Sequence, residues 1–157
     1  MREIVDIARW APSWVNYQIA RYTLVDDEEI IKEIAEHGVN GFVYNIDTLR
    51  TAKGVAVLSF VKGKSGTYDK EYITSKGNSW EVFDAGIACQ TFCLAAHAKG
   101  VGTCIMGVID DKSIAKIVNL PEDETVAALI VYGYEDGEHA APNKRKDVDE
   151  IMRFVDR

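Results

Sequence analysis

The sequence predicts an α+β fold in a single domain spanning residues 1–157. Helical segments outnumber strands, and the strands do not alternate regularly with helices as they do in a doubly wound sheet. The length of 157 residues corresponds to one domain. A chain of this size buries roughly two-thirds of the surface that its unfolded form exposes, so it can form a core without disulfides or metals.

The first part of the chain predicts a helix, a strand and a second helix. Residues 3–10 place apolar side chains on one helical face. Residues 22–25 are strand-forming types. Asp26 and Asp27 then offer an N-cap and a negatively charged first turn for a helix whose apolar face consists of isoleucines.

The middle of the chain predicts a buried strand and the longest helix. Residues 55–61 form a continuous apolar run, typical of a strand buried on both faces. The polar stretch 62–79 is rich in glycine and serine, and we expect a mobile surface loop. Residues 80–99 predict a helix that Ser79 caps and Gly100 ends. Because this helix is apolar on nearly every side, we expect it in the core or at a subunit contact.

The last third predicts three further structured segments and a final helix. The glycine-bracketed stretch 100–108 predicts a short strand or an extended loop, and Asp110 caps a short helix after it. Residues 125–134 predict another buried strand. Residues 147–155 predict a final amphipathic helix.

Charge and cysteine content exclude several classes of protein. The 18 Lys and Arg residues against 25 Asp and Glu residues give a net charge of −7, which argues against a non-specific nucleic-acid binder. No apolar run approaches the roughly 20 residues of a membrane span. The three cysteines cannot all pair within one chain, and the N-terminus lacks the apolar stretch of a signal peptide. We therefore expect reduced thiols in a cytoplasmic protein.

Several familiar chemical motifs are incomplete in this chain. The GKSGT stretch at 63–67 lacks the earlier glycine of a phosphate-binding loop, and no GxGxxG dinucleotide motif begins at Gly100. Cys89 and Cys93 share a helix face, but a structural zinc site needs four ligands. No serine or pair of carboxylates lies in a hydrolytic context. The sequence therefore indicates neither a catalytic side chain nor a metal site.

Three loop segments carry groups that suit a flat, phosphorylated ligand. In the stretch 11–18 a helix stops and polar and aromatic groups follow, namely Ser13, Trp14, Asn16 and Gln18. The stretch GVGTCIMG (100–107) has glycines at both ends, so a ligand can approach its backbone closely. The three consecutive basic residues at 144–146 could bind a phosphate. Taken singly, each segment also fits an ordinary turn or a solvated loop.

The order and spacing of these segments resemble the nitroreductase-like flavoprotein family. The matching stretches are ARWAPSWVNYQ, FDAGIACQTFCLAAHAKGVGTCIMG, IAKIVNLPEDETVAALIVYGY and NKRKDVDEIM. The family shows an A-x-x-APS-x-x-N-x-Q loop, a central helix ending LAA-x-x-x-G-x-G-T, a strand ending G-Y, and a late arginine. The resemblance covers most of the chain, and residues 62–79 match only in position.

The resemblance implies a fold, an assembly and a set of cofactor residues. The fold would be a small, mostly antiparallel sheet wrapped by helices, assembled as an intimate homodimer with FMN at the interface. One subunit would contribute the loop residues Pro12, Ser13, Trp14 and Asn16. The other would line the ring, with backbone N–H near the flavin N5, through Ile105, Met106 and Gly107. The phosphate would be met by Arg145, with Lys144 as the second choice.

The resemblance also implies a ping-pong reaction. NAD(P)H would give a hydride to the flavin N5 and leave, and a nitroaromatic, quinone or similar acceptor would then take the electrons. Family members carry an earlier helix and an Arg/Ser-rich segment that grips the FMN phosphate, whereas this sequence starts inside the next helix. In addition, Ile19 and Ala20 stand where a proline and an aromatic follow the family's glutamine. A second hypothesis is therefore a dimeric flavin- or ligand-binding protein of the same fold without reductase activity.

Overall fold

The structure, a computed structural model, describes residues 1–137 and 141–155. Its strands, in chain order, are β1 (Ala20–Val25), β2 (Gly54–Val61), the two-residue β3 (Thr67–Tyr68) and β4 (Glu71–Tyr72), β5 (Gly102–Met106) and β6 (Glu124–Gly133). Its α-helices are α1 (Arg2–Ala8), α2 (Glu28–His37), α3 (Val43–Thr51), α4 (Ser79–Ala98), α5 (Asp111–Ile117) and α6 (Val148–Ile151). Four strands pair antiparallel in the order β1–β2–β6–β5, and β3 and β4 form a separate small hairpin. The predicted α+β class with a small antiparallel sheet is confirmed.

Helices cover both faces of the four-stranded sheet, which explains the uninterrupted apolar run of β2. Successive side chains of a strand point to opposite faces. Val55 and Val57 belong to the core cluster with α2, α3 and α5. Ala56 and Leu58 belong to the cluster with α1 and α4. All four side chains are buried, so both faces of this strand must be apolar.

The two predicted aspartate caps are present. The Asp27 carboxylate accepts hydrogen bonds from two backbone N–H groups in the first turn of α2, at 3.0 and 3.1 Å. Asp110 caps α5 in the same way, at 3.1 and 3.0 Å. The hydrogen bonds from Ser113 hold the pKa of Asp110 below its usual range. Each cap satisfies N–H groups that the helix itself leaves without partners.

The long helix α4 ends as predicted but begins differently. Gly100 has φ of 71° and follows the helix, and the N–H groups of Gly100 and Val101 bond back to carbonyls of the last turn. This is a Schellman ending, which favours glycine at that position. The prediction for the start is wrong: Ser79 is the first helical residue, and the preceding Asn78 makes no side-chain cap bond.

Three segments differ from the sequence-based expectations. Helix α3 has no side-chain cap and was not predicted. The stretch 62–79 is more than a surface loop, because it forms the β3–β4 hairpin and buries Ser65 and Thr67. The helix expected over 147–155 is limited to the four residues of α6, which bury no side chain. None of the described helices is long and apolar enough to cross a membrane.

Candidate functional site

The loop between α1 and β1 has an unusual backbone conformation. It contains a short 3-10 turn, Trp14–Asn16, and three of its non-glycine residues have positive φ. The φ angles are 45° at Val15, 56° at Asn16 and 50° at Gln18. A positive φ is an outlier for a β-branched residue such as valine. Strained backbone of this kind clusters at functional sites, so an ordinary turn is the weaker explanation of this loop.

Trp14 fixes this loop to the rest of the protomer. Its backbone N–H donates to Oδ2 of Asp84 at 2.9 Å, and its indole N–H donates to the carbonyl of Thr67 at 3.0 Å. Its ring lies 4.9 Å, between centroids, from that of Trp80. Much of the Trp14 side chain is therefore engaged within the protomer. Pro12 and Asn16 are exposed, and the Ser13 hydroxyl accepts a hydrogen bond from the Gln18 backbone at 2.8 Å.

Two buried carboxylates at the start of α4 organise the surrounding loops, and neither is among the residues predicted from the sequence. Asp84 is 4% exposed and accepts a hydrogen bond from the Ser65 hydroxyl at 2.5 Å as well as the one from Trp14. Glu81 is 5% exposed and accepts from the backbone N–H groups of Gly63 and Lys64. Acidic residues at i and i+3 in an otherwise apolar helix were the available signal, since buried carboxylates require polar partners.

The second predicted segment lies at the other edge of the sheet, where β5 ends. Ile105 is 51% exposed, and Gly107 is exposed. Apart from its chain neighbours, no atom of the described residues lies within 4 Å of the position that a Cβ on Gly107 would take. The Met106 side chain, in contrast, is buried in the core, so this residue can face a ligand only through its backbone. The Asn45 side chain, which was not predicted, donates to the Val108 carbonyl at 3.0 Å and fixes the turn after Gly107.

The protomer does not bring these two segments together. The loop 12–16 precedes β1, whereas 105–107 ends β5, and these strands are opposite edges of the sheet. Three strand spacings, at least about 14 Å, separate the two edges. Lys144 and Arg145 lie in a third region, the exposed C-terminal segment, where Arg145 donates to the Asn143 carbonyl at 2.9 Å.

All three cysteines are free thiols. Hydrogen bonds from Cys89 and Thr103, opposed by partial burial, lower the pKa of Cys93 to about 6. Donation to Cys93, reinforced by burial, raises the pKa of Cys89. Within residues 1–137 and 141–155, no group of three or more His, Cys, Asp or Glu could hold a metal ion.

Several large apolar side chains are exposed on the protomer. On α4 they are Val82, Phe83 and Leu94. In the C-terminal segment they include Tyr134, Val148, Ile151, Phe154 and Val155. Where exposed apolar side chains form one large patch, they mark interaction sites on proteins.

Known proteins resemble this chain over nearly its whole length. A model of the nitroreductase family matches residues 1–134. An oxygen-insensitive NADPH nitroreductase of Helicobacter pylori is 21% identical, with 96% of this chain and 83% of that protein covered. The solved structure of an FMN-dependent nitroreductase of Clostridium difficile is 25% identical, covers 98% of this chain and 84% of its own, and has a TM-score of 0.75. A protein of Exiguobacterium sibiricum solved in complex with FMN is 20% identical and has a TM-score of 0.82, with 99% of this chain and 85% of that chain covered.

Proposed function

The chain belongs to the nitroreductase family, and we propose that it is an FMN-dependent NAD(P)H oxidoreductase that works as a homodimer. The observation that carries the proposal is the family match over residues 1–134, which includes both 12–16 and 105–107. Its acceptors would be nitroaromatics, quinones or similar electron-poor molecules. We place it in the cytoplasm, because all three of its cysteines are free.

The proposed site needs two protomers. The loop 12–16 and the segment 105–107 lie at opposite edges of one sheet, so a single FMN ring cannot contact both within one chain. In a symmetric dimer, a surface patch of one copy meets a different patch of the other twice, which would create two equivalent composite sites. The loop of one protomer would then face the end of β5 of its partner.

Exposed apolar surface supports the dimer. Phe83 and Leu94 lie exposed on α4, the helix that the sequence analysis expected in the core or at a subunit contact. The exposed Phe154 and Val155 near the C-terminus offer a second apolar surface. Burying such side chains against a partner removes their apolar area from water and stabilises association.

The residues at the two segments fit FMN. FMN would supply the redox chemistry, since it accepts a hydride from NAD(P)H and passes the electrons to the acceptor. β5 is an edge strand, so one row of its backbone groups has no strand partner in the described sheet, and N–H groups of that row would donate to the ligand. The open space beside Gly107 lets a flat ring approach that backbone. Ile105 would cover the ring through its exposed side chain, and Met106 would contribute its backbone.

The loop and the C-terminal cations would complete the site. Ser13 and Asn16 offer polar groups beside Pro12, and Trp14 keeps that loop rigid through its contacts with Asp84 and Thr67. Arg145, with Lys144 as the alternative, would bind the phosphate. A guanidinium can form two parallel hydrogen bonds to a phosphate, which favours the arginine.

Colour and bleaching test the proposal. Protein purified with added FMN should be yellow, NADH or NADPH should bleach it under argon, and a quinone or nitroaromatic should restore the colour. A dimer that stays colourless with excess FMN would contradict the proposal and favour the second hypothesis, a binding protein without reductase activity. A yellow protein that neither nicotinamide bleaches would retain the cofactor assignment and contradict the oxidoreductase.

A further inference from the structure

We propose that Asp84 is a positioning residue of the FMN site, whose buried carboxylate holds the loop 12–18 in its strained conformation. The inference rests on the proposed function, because that function assigns the loop to the flavin. Asp84 would act through the loop backbone and not by contact with FMN.

The backbone of the loop needs an external constraint. Val15, Asn16 and Gln18 all have positive φ, and only asparagine among these residue types adopts that region readily. Such conformations persist only where surrounding contacts over-determine them. Without such contacts the loop would relax, and the groups of Ser13 and Asn16 would lose the geometry that a flat ligand requires.

Asp84 provides this constraint at the start of the strained stretch. Its Oδ2 accepts the backbone N–H of Trp14, the residue immediately before Val15, at 2.9 Å. The same oxygen accepts the hydroxyl of Ser65 at 2.5 Å. No ion pair in the described part of the chain includes Asp84, so hydrogen bonds compensate this carboxylate. Hydrogen bonds to an ionised acceptor are roughly twice as strong as neutral ones.

Asp84 also supports the loop indirectly. The indole N–H of Trp14 donates to the carbonyl of Thr67, which belongs to the segment that Ser65 attaches to Asp84. One carboxylate therefore fixes both partners of the contact between Trp14 and Thr67. Glu81, one turn earlier on α4, holds only the other end of that segment, at Gly63 and Lys64.

The test compares Asp84→Ala, Asp84→Asn and Glu81→Ala in the full chain. Two quantities are measured at a temperature where circular dichroism shows every variant folded: the FMN dissociation constant, and the exciton signal of the Trp14–Trp80 ring pair in the apo-protein. We expect Asp84→Ala to lose the exciton signal and to bind FMN at least about tenfold more weakly, because a charge-assisted hydrogen bond is lost. Asp84→Asn should recover most of the exciton signal and most of the FMN affinity, since its amide oxygen can accept a hydrogen bond from the backbone N–H of Trp14.

Glu81→Ala is the matched control, because it removes an equally buried carboxylate that does not bond to the loop 12–18. It should leave the exciton signal and the FMN affinity near wild type. The proposal is overturned if Asp84→Ala keeps both the exciton signal and the FMN affinity of the wild type. It is also overturned if Asp84→Asn recovers neither quantity relative to Asp84→Ala, or if Glu81→Ala weakens FMN binding as much as Asp84→Ala does. Wild-type protein that takes up no FMN would contradict the proposed function, while the exciton signal would still decide whether Asp84 holds the loop.

Discussion

A substitution at Gly107 can distinguish a role of this residue in cofactor binding from a role in folding. Its φ is outside the left-handed region, and a Cβ built there would have no atom of residues 1–137 and 141–155 within 4 Å apart from its chain neighbours. Gly107→Val should therefore leave the melting temperature of the apo-protein within about 1 °C of wild type, since exposed substitutions usually cost little. If the flavin ring lies against this backbone, the same change should weaken FMN binding by at least about a hundredfold, a steric cost of a few kcal/mol.

Flavin titration and apo-protein melting, measured side by side, check this prediction. Unchanged FMN affinity with a large fall in melting temperature would make Gly107 a folding residue and would remove 105–107 from the proposed site. Gly137, another exposed glycine, has φ of 99° and is unsuitable as a control, because a side chain there is strained whatever space surrounds it. Ala98→Val, at an exposed helix end, is a better reference for the cost of an added side chain.

The Cys89–Cys93 pair predicts a pH dependence. The hydrogen bond from Cys89 lowers the pKa of Cys93 to about 6, so a thiolate should form as the pH rises through that value. The ultraviolet absorbance of the thiolate should follow this titration. Cys89→Ala removes the donor and should move the midpoint toward higher pH, while FMN content should stay near wild type because neither cysteine belongs to the proposed FMN site. Identical titration curves for the two proteins would contradict the assigned hydrogen bond.

Single-residue chemistry was only partly predictable from the sequence. The caps Asp27 and Asp110 were identified, because capping depends on local order along the chain. Asp84 and Ser65 were not identified, because these two residues lie 19 positions apart in the chain and come into contact only when it folds. Met106 was predicted to line the flavin, and its side chain is buried in the core, so only its backbone can serve the proposed site. Which face of a short edge strand is covered depends on helices that pack against it, and the sequence of the strand alone does not reveal this.

At the scale of elements, the cap of α2 makes a separate contribution to stability. Asp27→Ala leaves two N–H groups of the first turn without their acceptor and should cost about 1 kcal/mol, or a fall of about 2–4 °C in melting temperature. Asp27→Asn keeps an acceptor and should remain near wild type. Equal losses in the two variants would indicate that charge, and not capping geometry, stabilises this helix.

Helix α4 carries the prediction about assembly. Ala88 lies on its buried face, where its carbonyl accepts from the Tyr22 hydroxyl at 3.0 Å, so a charge there would disrupt the protomer itself. Leu94 is 59% exposed and is the better probe. Leu94→Glu should weaken dimerisation at least about a hundredfold, because an unpaired charge would be buried at the contact.

Light scattering at micromolar concentration measures the effect, with Val43→Glu on α3 as the control. Val43 is 62% exposed, so both substitutions place a glutamate at a similarly accessible apolar position. Val43→Glu should remain dimeric. A monomeric wild-type protein, or a Leu94→Glu variant that dimerises as well as wild type, would contradict the interface.

Elements with a strong local signal were predicted, and those without one were not. The buried runs of β2 and β6 and the glycine after α4 were identified, because apolar continuity and a helix-ending glycine are local features. Helix α3 lacks a side-chain cap. The 62–79 stretch owes its order to distant contacts, namely the hydrogen bonds that Ser65 and Gly63 make to α4. The expected helix over 147–155 extends only over α6, where no side chain is buried against the protomer.

At the scale of the whole molecule, the separation of the two segments is the main finding. The protomer places the loop 12–16 and the segment 105–107 at opposite edges of its sheet, while leaving apolar side chains of α4 exposed. Because the two segments are separated, a second copy is required to complete the proposed site. The exposed side chains of α4 offer a surface on which that copy can bind. Catalytic competence and dimerisation should therefore be lost together when the contact is broken.

Complementation between two inactive variants tests this composite site. Asn16→Leu removes an amide from the loop and puts a branched side chain at positive φ, whereas Gly107→Val fills the space beside β5. Each homodimer should lose both sites. In a mixed dimer, one site combines both substitutions and the other combines an unchanged loop with an unchanged β5 segment. Statistical mixing of equal amounts should thus restore FMN binding to about a quarter of all sites, because about half of the dimers are mixed and each has one intact site.

Equilibrium dialysis after subunit exchange measures the recovered fraction, and each variant exchanged with itself is the control. If loop and β5 segment served the same protomer, every site in the mixed dimer would carry one substitution, and no binding would return.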